Sequence, residues 1–158
     1  MEKVIGIIES ITSIQMPQWT EDDPSLPSLY IRYFKPNGGC GYSHIGQLSA
    51  KNYGFIYGSP YIGQPVAVNP NCGEDTIFHE TMHALGFIHE HSRADRDDYI
   101  EIMYDCITSS AFNNFNKAKS TDQTEYDYQS VMHYSAKAFS DKSKENCTNT
   151  ITALDEVR

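Results

Sequence analysis

Apolar and polar positions alternate along this chain with more than one period. In residues 1–11, "MEKVIGIIESI", Val4, Ile7, Ile8 and Ile11 recur at helical spacing, which predicts an amphipathic helix. "MPQWTEDDPSLPS" then has no period and is rich in Pro, Asp and Ser, so it reads as a loop. "SLYIRYF" brings β-branched and aromatic residues together as a strand, and "KPNGGCG" is a turn. Residues 42–69 hold short strand-like pieces broken by Gly and Pro, the best of them "PVAVN". In "TIFHETMHALG" the helical period returns: Ile77, Phe78, Met82 and Leu85 form an apolar face, and Gly86 ends it. Beyond residue 90 the pattern weakens, "IEIMYDCITSSAFNNFNKA" holding only short helical turns. A small sheet ahead of one well-formed helix, followed by mostly irregular chain, is an α+β arrangement.

A chain of 158 residues with 39% hydrophobic content fits a single domain with a real core. The formal net charge of -9, with Lys and Arg scattered, argues against a nucleic-acid or anionic-membrane surface. No apolar stretch approaches the ~20 residues of a membrane span, and Glu9 interrupts the opening apolar run, so it reads poorly as a leader. If the protein is secreted, its targeting segment is missing from this chain. Cys40, Cys72, Cys106 and Cys147 form no C-x-x-C clip and allow three pairings, which points to two disulfides and an oxidising compartment. Asn146-Cys147-Thr148 matches the N-glycosylation pattern.

The stretch "HETMHALGFIHE", 79–90, concentrates three histidines and two glutamates in an otherwise apolar segment. Such side chains are costly to bury unless paired or metal-bound. On a helix, His79 and His83 lie about 40° apart in angle and roughly 6 Å apart along the axis, so their imidazoles share one face. Had the helix continued, His89 would stand about 120° away from that face and roughly 9 Å beyond His83. Gly86 removes the difficulty, because a residue without Cβ readily turns left-handed, ends the helix and lets His89 return as a third ligand. Three protein ligands leave the fourth position for water, as in catalytic zinc sites. Glu80, beside the first ligand, is placed to take a proton from that water. Metal-assisted peptide hydrolysis with one zinc per chain is the expected chemistry.

His79, Glu80, His83, Gly86 and His89 fill the pattern H-E-x-x-H-x-x-G-x-x-H, and Met132 in "SVMHY" supplies a methionine turn. With Glu90 directly after the third histidine, the following "HSRADRDDY", and "YDYQSVMHY" with Tyr134 two residues past Met132, the chain resembles the astacins. That resemblance implies a two-lobed, metzincin-like fold with a small mixed sheet and the active-site helix in an N-terminal lobe of about 1–86. The C-terminal lobe, about 87–158, is then mostly irregular, and the cleft lies between the two. It implies an apolar floor at Met132, a switchable fifth ligand and oxyanion donor at Tyr134, and a buried carboxylate at Glu90 that receives a mature N-terminus. It implies a secreted or extracellular endopeptidase acting on peptide or protein substrates. Among the cysteines, Cys40 and Cys72 occupy family positions flanking the sheet region, and Cys106–Cys147 is then the remaining pair.

Departures from the family pattern lead to the expectation that the domain is incomplete at both ends. Ser13 stands at the position where astacins usually carry a cysteine, and that cysteine's partner would fall beyond Arg158. The segment between Cys40 and Cys72 is longer than usual. An inactive or truncated module that binds zinc and peptides without cutting is the alternative. His44, His91 and His133 have no ligand spacing and read as structural or surface residues, and Arg93, Asp95, Arg96 and Asp97 read as an ion-pair set.

Overall fold

The computed structural model describes residues 1–20, 23, 25, 30–47, 64–119 and 124–154. The chain divides into two compact units, Met1–Phe87 and Ile88–Arg158. The strand-like pieces expected between 48 and 63 lie outside the described residues, as do positions 28 and 29 of the expected first strand.

In the first unit, α1 spans Glu2–Ile11 and buries Val4, Ile5 and Ile8. The buried stripe is rotated from the expected one: Ile5 faces inward, while Ile7 and Ile11 are 40% and 70% exposed. Four isoleucines on a ten-residue helix give more apolar positions than one packing face can cover. Thr12 ends the helix in extended conformation, its backbone N–H and hydroxyl both donating to the Ile8 carbonyl. Lys3 on α1 pairs with Glu74.

The sheet of this unit comprises β1 (Ile31–Phe34), β2 (Gly41–Ser43) and β3 (Gln64–Val68) in the order β1-β3-β2. β1 runs parallel to β3, with Tyr33 opposite Val66, and β2 runs antiparallel to it, with Gly41 opposite Val68. The sheet is therefore mixed. β3 is central and every residue in it is buried, which suits its near-continuous apolar run. α2, Glu74–Ala84, packs on this sheet. Val66 and Val68 from β3, Ile77 and Ala84 from α2, and Val4 and Ile8 from α1 make one core. Thr81, fully buried, ties α2 to β1: its hydroxyl donates to the Ile77 carbonyl and accepts from Tyr33 at 2.9 Å. A disulfide joins Cys40 to Cys72.

The second unit is held by less regular means. β4 (Ile100–Ile102) and β5 (Ile151–Ala153) pair antiparallel, with Ile102 opposite Ile151. Ile100, Ile107, Ala111, Phe115, Tyr126 and Ile151 form its core, and short 3-10 turns, the longest Ser109–Phe115, carry the chain around it. Buried arginines satisfy the irregular backbone, as a planar guanidinium with several donors is suited to do. Arg93 donates to the carbonyls of Thr124 and Glu125 as well as to Glu90 and Asp95. Arg96 donates to the carbonyls of His91 and Phe115. The ion-pair set read from "SRADRDD" is thus half internal: the side chains of Arg93 and Arg96 are 7% and 5% exposed, that of Asp97 62%. A second disulfide joins Cys106 to Cys147. Two disulfides fit an oxidising compartment. Among the described residues no helix is long and apolar enough to cross a membrane.

Candidate metal centre and active site

α2 presents the first two histidines. Its start follows from charge, since Glu74 and Asp75 in the first turn face the positive end of the helix dipole. Its end is set by Gly86, at φ 104. The Gly86 N–H donates to the His83 carbonyl and the Phe87 N–H to the Met82 carbonyl, the paired bonds of a Schellman motif. A second backbone bond, from Gly46 N–H to the same His83 carbonyl, locks the corner to the rest of the first unit. After this reversal the chain is extended at His89, φ -64 and ψ 138.

His79 and His83 stack edge to face, with ring centroids 4.6 Å apart. Within the continuous segment 79–89, one nitrogen from each of His79, His83 and His89 lies within 4.8 Å of the others. A tetrahedral zinc with ligands at about 2.0–2.1 Å asks for nitrogens ~3.4 Å apart, so small ring rotations close the set. The hydrogen bonding also fits a metal. His83 Nδ1 lies 2.8 Å from the Phe87 carbonyl, which can only accept, so the proton sits on Nδ1 and Nε2 is free to ligate. Burial holds the His83 pKa below its ordinary value, and the neutral imidazole is the ligating form.

Glu80 is 8% exposed, and its Oε2 is buried without a hydrogen-bond partner among the described residues. A carboxylate oxygen left so is costly unless something polar meets it. Burial pushes its pKa up to about 7; a divalent cation beside it acts in the opposite direction, favouring the charged form. Three histidine nitrogens and one unsatisfied carboxylate oxygen fit a zinc ion with a water at its open position.

Gly41 on β2 was not among the expected site residues, yet it decides where Glu80 lies. A Cβ there would stand 2.8 Å from the Ala67 carbonyl oxygen, 2.8 Å from Glu80 Cγ and 3.0 Å from Glu80 Oε1. The sequence shows only one glycine in a glycine-rich turn, so no one-dimensional signal marks it. Gly41→Ala is expected to destabilise the fold by roughly 1–3 kcal/mol, the usual cost of overpacking. Part of that cost should vanish in a Glu80→Ala background, because one of the two clashes is gone. Denaturant unfolding of the four proteins in the cycle checks this, and full additivity would count against the contact.

In the second unit the turn at Met132 is tied to the residue after the third histidine. Glu90 N–H donates to the Met132 carbonyl at 3.0 Å, and Met132 is 4% exposed. Glu90 Oε1 accepts from Arg93 at 2.9 Å and from Asp127 N–H at 3.0 Å. Tyr134 is brought against His89, their ring centroids 4.6 Å apart. His44 in the first unit and His133 in the second lie outside the ligand set; His133 Nε2 meets the Tyr126 hydroxyl at 2.7 Å.

Comparison with known proteins bears on this geometry. The profile of the Astacin peptidase family matches residues 1–157. Meprin A subunit beta of Rattus norvegicus is 36% identical over 151 residues, covering 92% of this chain and 19% of the meprin subunit. Zinc metalloproteinase nas-4 of Caenorhabditis elegans is 38% identical over 127 residues, covering 77% of this chain and 36% of that protein. Among solved structures, High choriolytic enzyme 1, a hatching enzyme zinc-protease of Oryzias latipes, superposes with a TM-score of 0.76 at 29% identity, over 98% of this chain and 68% of its own. The chain thus spans about a fifth to a third of the length of these two curated relatives.

Proposed function

We infer that this chain, which belongs to the astacin family of zinc peptidases, hydrolyses internal peptide bonds of protein substrates as one peptidase domain, with parts of about 1–86 and 87–158. The observation that carries the reading is the convergence of three histidine nitrogens beside a buried carboxylate with one oxygen unsatisfied. His79, His83 and His89 hold one zinc ion, which when bound acidifies a water and polarises a substrate carbonyl. Glu80 takes the proton at Oε2 as the water attacks, then returns it to the departing amine. The dry surroundings of Glu80 keep its basicity close to what that exchange needs. His83 is held in its ligating tautomer by the Phe87 carbonyl. Tyr134 donates its phenol proton as a hydrogen bond to the oxyanion of the tetrahedral intermediate. Met132 and Glu90 support the third histidine through their shared backbone bond. The disulfides and the family relationship support a location outside the cell.

The test is cleavage of an unfolded carrier protein, with fragments identified by mass. Internal cuts are expected from the zinc-loaded protein, none after chelation, and full recovery on adding back about one zinc per chain. Zinc-loaded, folded protein that binds the carrier and leaves it whole would favour a binding module instead.

A further inference from the structure

We propose that His91 is a positioning residue for Tyr134, a proposal that rests on the role given to Tyr134 above. His91 is fully buried, at 0% exposure, among the rings of His89, Phe115, His133 and Tyr134. A buried imidazole costs free energy that an aromatic hydrocarbon of similar size would not, unless its nitrogens are used. Both are. Nε2 lies 3.1 Å from the Asn114 carbonyl, which can only accept, so the ring proton sits on Nε2 and Nδ1 keeps its lone pair. That lone pair accepts the backbone N–H of Tyr134 at 3.4 Å.

The ring itself lies flat on the tyrosine. The centroids of His91 and Tyr134 are 3.9 Å apart with planes at 25°. His91 also stacks with the ligand His89, at 5.1 Å and 28°, and His89 in turn meets Tyr134 at 4.6 Å. Phe115, fully buried, meets both His91 and Tyr134 at 5.7 Å. His91 thus fixes Tyr134 twice, at its backbone and across its ring face, and is itself fastened to the 3-10 segment Ser109–Phe115. A phenol that must meet an oxyanion within a few tenths of an ångström needs a ring axis held this way.

Two amide variants separate positioning from space-filling. His91→Asn sets its side-chain oxygen where Nδ1 stands and keeps the acceptor for Tyr134 N–H. His91→Gln sets its amide nitrogen where Nε2 stands and keeps only the bond to Asn114. Both lose the aromatic ring, so a role in filling space predicts similar behaviour for the two. The readouts are the Tyr134 signal of protein carrying 13C at the tyrosine Cζ, identified by its loss in Tyr134→Phe, and steady-state kinetics at matched zinc content. His91→Asn, which loses the ring contact but keeps the acceptor for Tyr134 N–H, is expected to shift the signal and lower kcat by less than His91→Gln does. His91→Gln is expected to shift or broaden the signal and lower kcat by about tenfold or more, with KM changed less than about twofold. Identical Tyr134 signals in the two variants would overturn the proposal, whatever their turnover. A displaced signal in His91→Gln with kcat intact would leave the positioning standing and remove Tyr134 from the reaction, so the two failures are told apart.

Discussion

Glu80→Gln is expected to lower kcat by about 10²–10⁴ or more while leaving zinc content and fold intact. The amide keeps the shape of the side chain beside Gly41 but has no basic oxygen to receive a proton. The neutral amide escapes the desolvation that burial imposes on the Glu80 carboxylate but forgoes its attraction to the bound cation, so thermal stability should change little. Loss of activity without loss of stability is not what a scaffold residue produces. KM should change little, because the missing interaction belongs to the transition state rather than to substrate binding. The measurement is kcat and KM on one peptide substrate, alongside a melting curve and metal analysis of the same preparation. Equal loss of zinc and activity would make Glu80 a structural residue.

Tyr134→Phe is expected to lower kcat by about 10²–10³, the usual effect of removing one oxyanion donor, with a much smaller rise in KM. Zinc should stay, because the three histidines do not include this residue. The ring should stay as well, because its contacts with His91, His89, Phe115 and Phe139 are made by carbon faces rather than by the hydroxyl. If Tyr134 served only the core, the change would cost one hydrogen bond, about 0.5–1.5 kcal/mol of stability, and turnover would be nearly unchanged. Kinetics at matched zinc occupancy separate these outcomes by two orders of magnitude or more.

The elements that were legible in the sequence are those whose signal is local. A helix through residues 76–84 is written in the spacing of Ile77, Phe78 and Met82, and its end in Gly86, whose positive φ only a residue without Cβ adopts easily. The helix begins two positions earlier than its apolar pattern, at Glu74, because its first turn is stabilised by charge and carries no apolar residue. "PVAVN" is legible as a strand for the opposite reason, a run so apolar that only the centre of a sheet suits it. β4 and β5 were not expected: each has three residues, too few to show alternation, and each finds its partner about fifty positions away. The neighbours of the candidate site follow the same rule. The convergence of His79, His83 and His89 rests on a spacing of a few residues. The burial of His91 depends on Asn114 and Tyr134, 23 and 43 positions distant, and the constraint on Gly41 depends on a helix laid across its strand. Interactions of that range are settled by packing, and a single sequence carries no local trace of them.

Metal analysis of the parent chain, Glu80→Gln and His83→Ala, purified side by side, tests the central claim most directly. His83 is buried, in the ligating tautomer, and offers one of three converging nitrogens, so removing its ring leaves two ligands and an incomplete site. About one zinc per chain is expected for the parent and for Glu80→Gln, and almost none for His83→Ala. A folded His83→Ala protein that retains a full equivalent of zinc would contradict the account, because the metal would then be held somewhere other than the three histidines.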